Sequence, residues 1–282
     1  MKKAVFTKIF CCLMWLGLEA HAQSPIKLAP LPLLEPCEQL NSGEASEQAV
    51  KPLLEKLRDK DAAVRAKAAE QLANGCHKAA VEPLMAVLRD EAPPVRVAAI
   101  KSLGQLSDRE TLSDLSITVM DEDLGVKLAL IQALCSFRSS VARNTVLNSI
   151  ANPGGVEIKE ETDARIRGVA ILTLNELADV THSHKAIFFA VSFTQSRHAA
   201  IRKVGEETML ALRDTRNAGT ELIATLKSNK NPDMRRQAAY WLGKLAIERA
   251  RDALNTAATL DANAAVKQAA TTALSQLNAP SK

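Results

Sequence analysis

Aromatic residues are scarce in this 282-residue chain, which has six Phe, two Trp and one Tyr. Leucine and alanine must therefore make most of its core. Neither sign of charge dominates: 36 Lys and Arg are interspersed with 32 Asp and Glu, for a net charge of +4. That balance removes the electrostatic basis for binding nucleic acid or another polyanion. There is no glycine-rich phosphate loop, no Gly-x-Ser-x-Gly elbow and no Cys-x-x-Cys pair. Nucleotide, serine-hydrolase and dithiol chemistry are left without their usual residues. No catalytic residue and no cofactor site can be assigned. His182-Ser183-His184 falls in one turn and His198 near the next, and these histidines are expected to be solvated rather than to hold a metal. Past the N-terminus no apolar run approaches a membrane-spanning helix.

What is present begins with an export signal. Lys2, Lys3 and Lys8 precede the apolar run Ile9–Leu18, and Ala20-His21-Ala22 then offers a small-x-small cleavage site. Residues 1–22 read as a signal peptide, placing the mature chain in the periplasm or outside the cell. Cutting after Ala22 removes three lysines and Glu19, which lowers the net charge to +2. Cys11 and Cys12 leave with the signal and lack a lipoprotein context, so a soluble product is expected. Cys37, Cys76 and Cys135 remain. An odd count in an oxidising compartment predicts one disulfide, Cys37–Cys76, and one free thiol. Cys135 occupies a column that elsewhere holds mostly small residues, which predicts a covered thiol.

Residues 23–44 carry Pro25, Pro30, Pro32 and Pro36 among Ile26, Leu28, Leu31, Leu33 and Leu34. They read as an extended segment capping the first repeat, with a free linker as the alternative. Residues 45–282 form one repeating domain. A branched apolar residue and a base recur as Val64-Arg65, Val95-Arg96, Val126-Lys127, Ile166-Arg167, Ile201-Arg202, Met234-Arg235 and Val266-Lys267, at steps of 31, 31, 40, 35, 33 and 32 residues. A period in this range marks a stacked helical array. Small residues or Leu follow four positions on, Leu or Met eight on, and Leu or Phe eleven on, except for Gly75 in the first unit. Offsets of 4, 8 and 11 share one helix face. A second apolar helix precedes each, as in Val50, Leu53, Leu54 and Leu57, with Pro52 and Pro83 near its start. Six residues before each base stands Asp59, Asp90, Asp121, Glu161, Ser196, Asn229 or Asp261. This column predicts caps on the second helices and acid–base pairs between adjacent units. The 40-residue step holds an insertion, residues 152–161, that reads as a surface loop.

These units resemble HEAT repeats of the phycobilisome-lyase HEAT-like subclass. The pattern is clearest in Asp90–Leu106 and Asn229–Leu245, and the resemblance covers about Ala45 to Asn278. It implies an all-α, right-handed α-α superhelix of about seven helical hairpins. That family includes chromophore lyases, a di-iron hydroxylase of hypusine synthesis and many binding scaffolds. The hydroxylase resemblance implies His-Glu dipeptides as iron ligands, and this chain has no His-Glu pair.

Specificity has to lie where the repeat leaves positions free. Two, five and six residues after each branched apolar residue, the second helix faces away from the core. Val97, Ile100, Leu128 and Ile131 make that inner face apolar at one end, while Lys203, Arg236 and Tyr240 make it polar at the other. A bland alternative makes the isoleucines contacts between neighbouring repeats. The expected function is a non-enzymatic scaffold holding another protein or peptide of the envelope or exterior. An enzyme related to the chromophore lyases and a self-assembling structural part are the alternatives.

Overall fold

The computed structural model describes residues 26–137, 139–151, 160–176, 180–215 and 217–279. The expected signal peptide and residues 152–159 of the insertion lie outside them. The described residues contain 14 α-helices and no strand beyond one isolated bridge, Asn41 to His77. The helices form seven hairpins. These are α1 (Glu44–Lys56) with α2 (Ala62–Ala73), α3 (Val81–Ala86) with α4 (Pro93–Leu106), and α5 (Leu112–Ile117) with α6 (Leu124–Ser136). The fourth pairs α7 (Ser140–Thr145), continued as a π-helical stretch Val146–Ala151, with α8 (Glu161–Glu176). The last three are α9 (Val180–Phe193) with α10 (Ala199–Ala211), α11 (Ala218–Ser228) with α12 (Pro232–Lys244), and α13 (Arg251–Leu260) with α14 (Ala264–Asn278).

The repeated apolar columns are the core. Val95, Ala99, Leu103, Val126, Leu130, Leu134, Ala170, Leu174, Leu242, Val266 and Ala270 are fully buried. Because each hairpin has an apolar side facing each neighbour, stacking completes a core that no single hairpin can close. Pro83 sits at the third residue of α3, as expected, but Pro52 lies inside α1, which starts earlier than its apolar residues suggest. His182 and His184 belong to α9 rather than to a turn.

The acid column works differently from a simple cap. Asp59, Asp90, Asp121, Asn229 and Asp261 each accept the amide two residues on, at 2.8–2.9 Å, closing the turn. The cap itself comes two residues later, where Asp61, Asp123, Asn231 and Asn263 accept amides of the first helical turn. The column is then free to take the preceding repeat's arginine. Arg65 grips Asp90 through Nε and Nη2 at 2.7 and 2.8 Å, Arg96 grips Asp121 at 2.8 and 2.9 Å, and Arg235 grips Asp261 at 2.7 and 2.9 Å. Each arginine's Nη1 also donates to the carbonyl of the column residue in its own repeat, Asp59, Asp90 or Asn229. One guanidinium thus ties two turns together. Where Ser196 and Asn229 replace acids the rungs change: Arg167 turns back to Asp163 on its own helix at 2.7 Å, and Arg202 keeps the carbonyls of Ser196 and Arg197. At the far end Arg251 donates to the Leu277 carbonyl and to Asn278 Oδ1, which closes the last turn of α14.

Candidate functional site

Residues 26–41 do more than cap the first repeat. They run as an extended strap along the second helices, from repeat four back to repeat one. Arg165 Nη1 donates to the Ile26 carbonyl at 3.2 Å, while its Nε holds Glu161 and its Nη1 also reaches Glu207 at 3.1 Å. The Leu31 amide donates to Thr173 Oγ1 at 3.0 Å and the Leu34 amide to Ser136 Oγ at 2.7 Å. Gln132 Nε2 donates to the Pro32 carbonyl, and the Cys37 amide to the Gln105 carbonyl at 2.7 Å. Asn41 closes the strap: its amide donates to the Cys76 carbonyl and its own carbonyl accepts the Lys78 amide, at 2.7 and 2.8 Å. Gly75, the exception in the first unit's leucine column, lies here, and its carbonyl accepts Asn41 Nδ2.

Cys37 and Cys76 are bonded, with 5.8 Å between their Cα atoms, and the bond pins the strap to the end of repeat one. Cys135 is free and buried, and burial pushes its thiol up to about 12. A thiol held so far above neutrality is no nucleophile.

The strap changes the reading of the inner face. Ile100 and Ile131, read either as an open binding face or as contacts between neighbouring repeats, are fully buried, and Val97 and Leu128 are half-buried. Leu172, at an inner-column position of α8, is fully buried as well. Two glycines show how closely the strap sits. A Cβ on Gly104 would lie 2.7 Å from Leu34 Cδ1, and one on Gly168 would lie 2.7 Å from Leu28 Cδ2. The apolar end of the predicted binding face is therefore largely interior.

The polar end is exposed. Lys203, Arg236 and Tyr240 stand on α10 and α12 with solvent access, Tyr240 at 41%. Lys244 completes the group: its Nζ lies 3.2 Å from the Tyr240 hydroxyl, 3.6 Å from Glu206 and 5.1 Å from the Trp241 ring centroid. The Tyr240 and Trp241 rings meet edge to face at 5.3 Å. Trp241 is 1% exposed, in a column that elsewhere holds Gln, Ser, Thr or Ala. The helix contacts change at this point. α2, α4, α6, α8 and α10 pack on one another in series, but repeat five meets repeat six mainly through α9 and α11. Trp241 is buried on α12, the second helix that this change of packing sets apart from its predecessor. Leu210 of α10, 47% exposed, stands one helical turn beyond the inner-column residue Glu206 in repeat five. Sequence reasoning missed both Leu210 and Lys244, which stand one helical turn beyond the inner-column residues Glu206 and Tyr240.

No helix among the described residues is long and apolar enough to cross a membrane, and none of their His, Cys, Asp and Glu side chains cluster as a metal site. A stack of helical hairpins sharing one core defines an α-solenoid. The HEAT-repeat family matches residues 50–151 and 219–282, and the chain belongs to that family. Among solved structures, the complex of CpcE and CpcF of phycocyanin lyase from Nostoc is similar at 20% identity, covering 94% of this chain and 95% of that one, with a TM-score of 0.41. Human deoxyhypusine hydroxylase is similar at 16% identity, over 83% and 97% of the two chains, with a TM-score of 0.35. An archaeal HEAT-like repeat protein from Thermococcus onnurineus is similar at 10% identity, over 84% and 98%, with a TM-score of 0.37. No curated protein sequence matches the chain.

Proposed function

We propose that this chain is an exported, non-enzymatic scaffold that holds another protein of the periplasm or exterior on the inner face of repeats five to seven. One observation carries the reading. The strap lies along the same face over the first four repeats; beyond it the face is open, with Tyr240, Lys244 and Glu206 meeting between α12 and α10 and Lys203, Leu210 and Arg236 on the same two helices. Tyr and Arg are the residue types that dominate binding energy at protein interfaces, and here they sit one helical turn apart on α12. Gln268, Thr272 and Gln276 continue the face on α14 as an exposed polar rim. A nearly neutral mature chain with a mixed-charge patch suits a folded protein partner better than a polyanion. Tyr240→Ala and Arg236→Ala are each expected to weaken binding by ~1–3 kcal/mol while leaving thermal unfolding nearly unchanged. The measurement is a pull-down of the mature protein from its own envelope extract, followed by titration of the captured partner against both variants. Unchanged binding by both variants would place the partner elsewhere. Turnover of a small molecule, with no stoichiometric partner, would favour a lyase-like enzyme.

A further inference from the structure

The strap has a period of its own. Leu28, Leu31, Leu34, Cys37 and Leu40 are half-buried against the core, while Lys27, Pro30, Leu33, Glu35, Glu38 and Gln39 are exposed. The amides of Leu31, Leu34 and Cys37 are the ones donated to the groove. From Leu28 to Leu40 every third residue packs on the core, with Ile26, Ala29 and Pro36 half-buried out of phase; a spacing of three is the repeat of a polyproline II helix and suits a segment with prolines at 30, 32 and 36. Three such residues advance ~9 Å, and packed helices stand ~8–10 Å apart. One turn of strap therefore matches one repeat of solenoid. The partners bear this out: Leu31 meets Thr173 in repeat four, Leu34 meets Ser136 in repeat three and Cys37 meets Gln105 in repeat two. The acceptors are oriented for the task. The Thr173 and Ser136 hydroxyls give their protons to the carbonyls four residues back, of Val169 and Gln132, which leaves a lone pair for the incoming amide.

We infer that the inner groove of repeats one to four is a binding surface for an extended, proline-rich segment with an apolar side chain at every third residue. Residues 26–40 are its resident occupant, and a separate peptide of the same pattern takes their place when the strap is released. The groove recognises little beyond this pattern. It offers hydroxyl and carbonyl acceptors to the peptide amides and two glycine floors, Gly104 and Gly168, to the leucines. The exposed strap residues differ freely in charge and size. This surface is separate from the face around Tyr240, and the two are told apart by experiment.

The test uses the full mature chain and a fluorescent synthetic peptide of residues 26–36. The strap is released by Cys37→Ser and Cys76→Ser, and weakened by Leu31→Asp and Leu34→Asp. The peptide is expected to bind the released protein at least ~10-fold more tightly than the parent. A peptide with Asp at positions 28, 31 and 34 should lose at least ~10-fold, and one with Asp at the outward position 33 should bind like the original. Tyr240→Ala in the released background should leave peptide binding unchanged, so that loss of the Tyr240 partner and loss of the groove are separate outcomes. Failure of the peptide to bind the folded released protein, or equal binding of the two Asp peptides, overturns the inference. If the released variant does not fold, the readout is hydrogen exchange in the parent with its disulfide reduced. Excess peptide should then speed exchange of the Leu31 and Leu34 amides, and unchanged exchange overturns the inference equally.

Discussion

Asp121 carries two jobs on one carboxylate. It closes the turn through the Asp123 amide at 2.9 Å and takes both Nε and Nη2 of Arg96. Burial alone would raise its pKa, but the hydrogen bonds from Arg96 and Asp123 and the arginine's charge outweigh burial and hold it below the ordinary carboxylate range. A carboxylate depressed in the folded state adds stability above its unfolded value near ~3.9, and loses it as pH falls through the folded value. Asp90 and Asp261 are lowered in the same direction, first by the hydrogen bonds from Arg65 and Arg235. Asp121→Asn is therefore expected to cost roughly 1–2 kcal/mol at neutral pH and to flatten the fall of Tm between about pH 5 and pH 2. Thermal melts of the parent and variant across that window check both statements. Cys135 makes the complementary residue-scale prediction. With its thiol at about 12 and its side chain buried, the folded protein should not react with a thiol reagent at pH 8. The same protein denatured without reduction should show one reactive thiol per mature chain.

At the scale of elements, the disulfide joins a non-repeating segment to a repeating one. Its cysteines are 39 residues apart, and closing a loop of that length stabilises the fold by ~4 kcal/mol in the chain-entropy account. Replacing both Cys37 and Cys76 by Ser should lower Tm markedly. It should also raise hydrogen exchange in residues 26–41 more than in α12 or α14, because the strap then keeps only its hydrogen bonds and leucine contacts. Equal protection throughout would mean that the strap holds without its bond. Trp241 shows the other way an element departs from the repeat. From α2 to α10 the second helices pack on one another in series, whereas α12 is not closely packed on α10 and carries a large buried side chain in the same column. The indole Nε1–H is buried without a hydrogen-bond partner among the described residues, so packing rather than polar pairing explains the residue.

At the scale of the whole molecule, seven hairpins share one continuous core but not one continuous surface. The strap divides the inner face into a covered stretch over repeats one to four and an exposed stretch beyond. Export determines whether the strap begins near its first docked residue. The secreted form is expected to start at Gln23, three residues before Ile26, and N-terminal sequencing or intact mass of the exported protein checks it. A product that retains residues 1–22 or stays in the membrane pellet would refute the localisation.

The repeat could be read from residues alone because its causes are local. Offsets of 4, 8 and 11 place side chains on one helix face whatever surrounds them, and identical neighbours must stack on that face. The acid column and the pairing of its arginines followed from the same regularity, and Cys37–Cys76 followed from an odd count and a nearby chain path. The strap's full route did not follow. Its period of three has no meaning until it is laid against a stack of helices spaced by about the same rise, and the partners of Leu31 and Leu34 lie 142 and 102 residues away. Tertiary structure alone decided that Ile100 and Ile131 are interior while Tyr240 and Arg236 remain exposed. An inner-column residue is open or buried according to what neighbouring repeats and the strap place over it, and its own helix does not encode that.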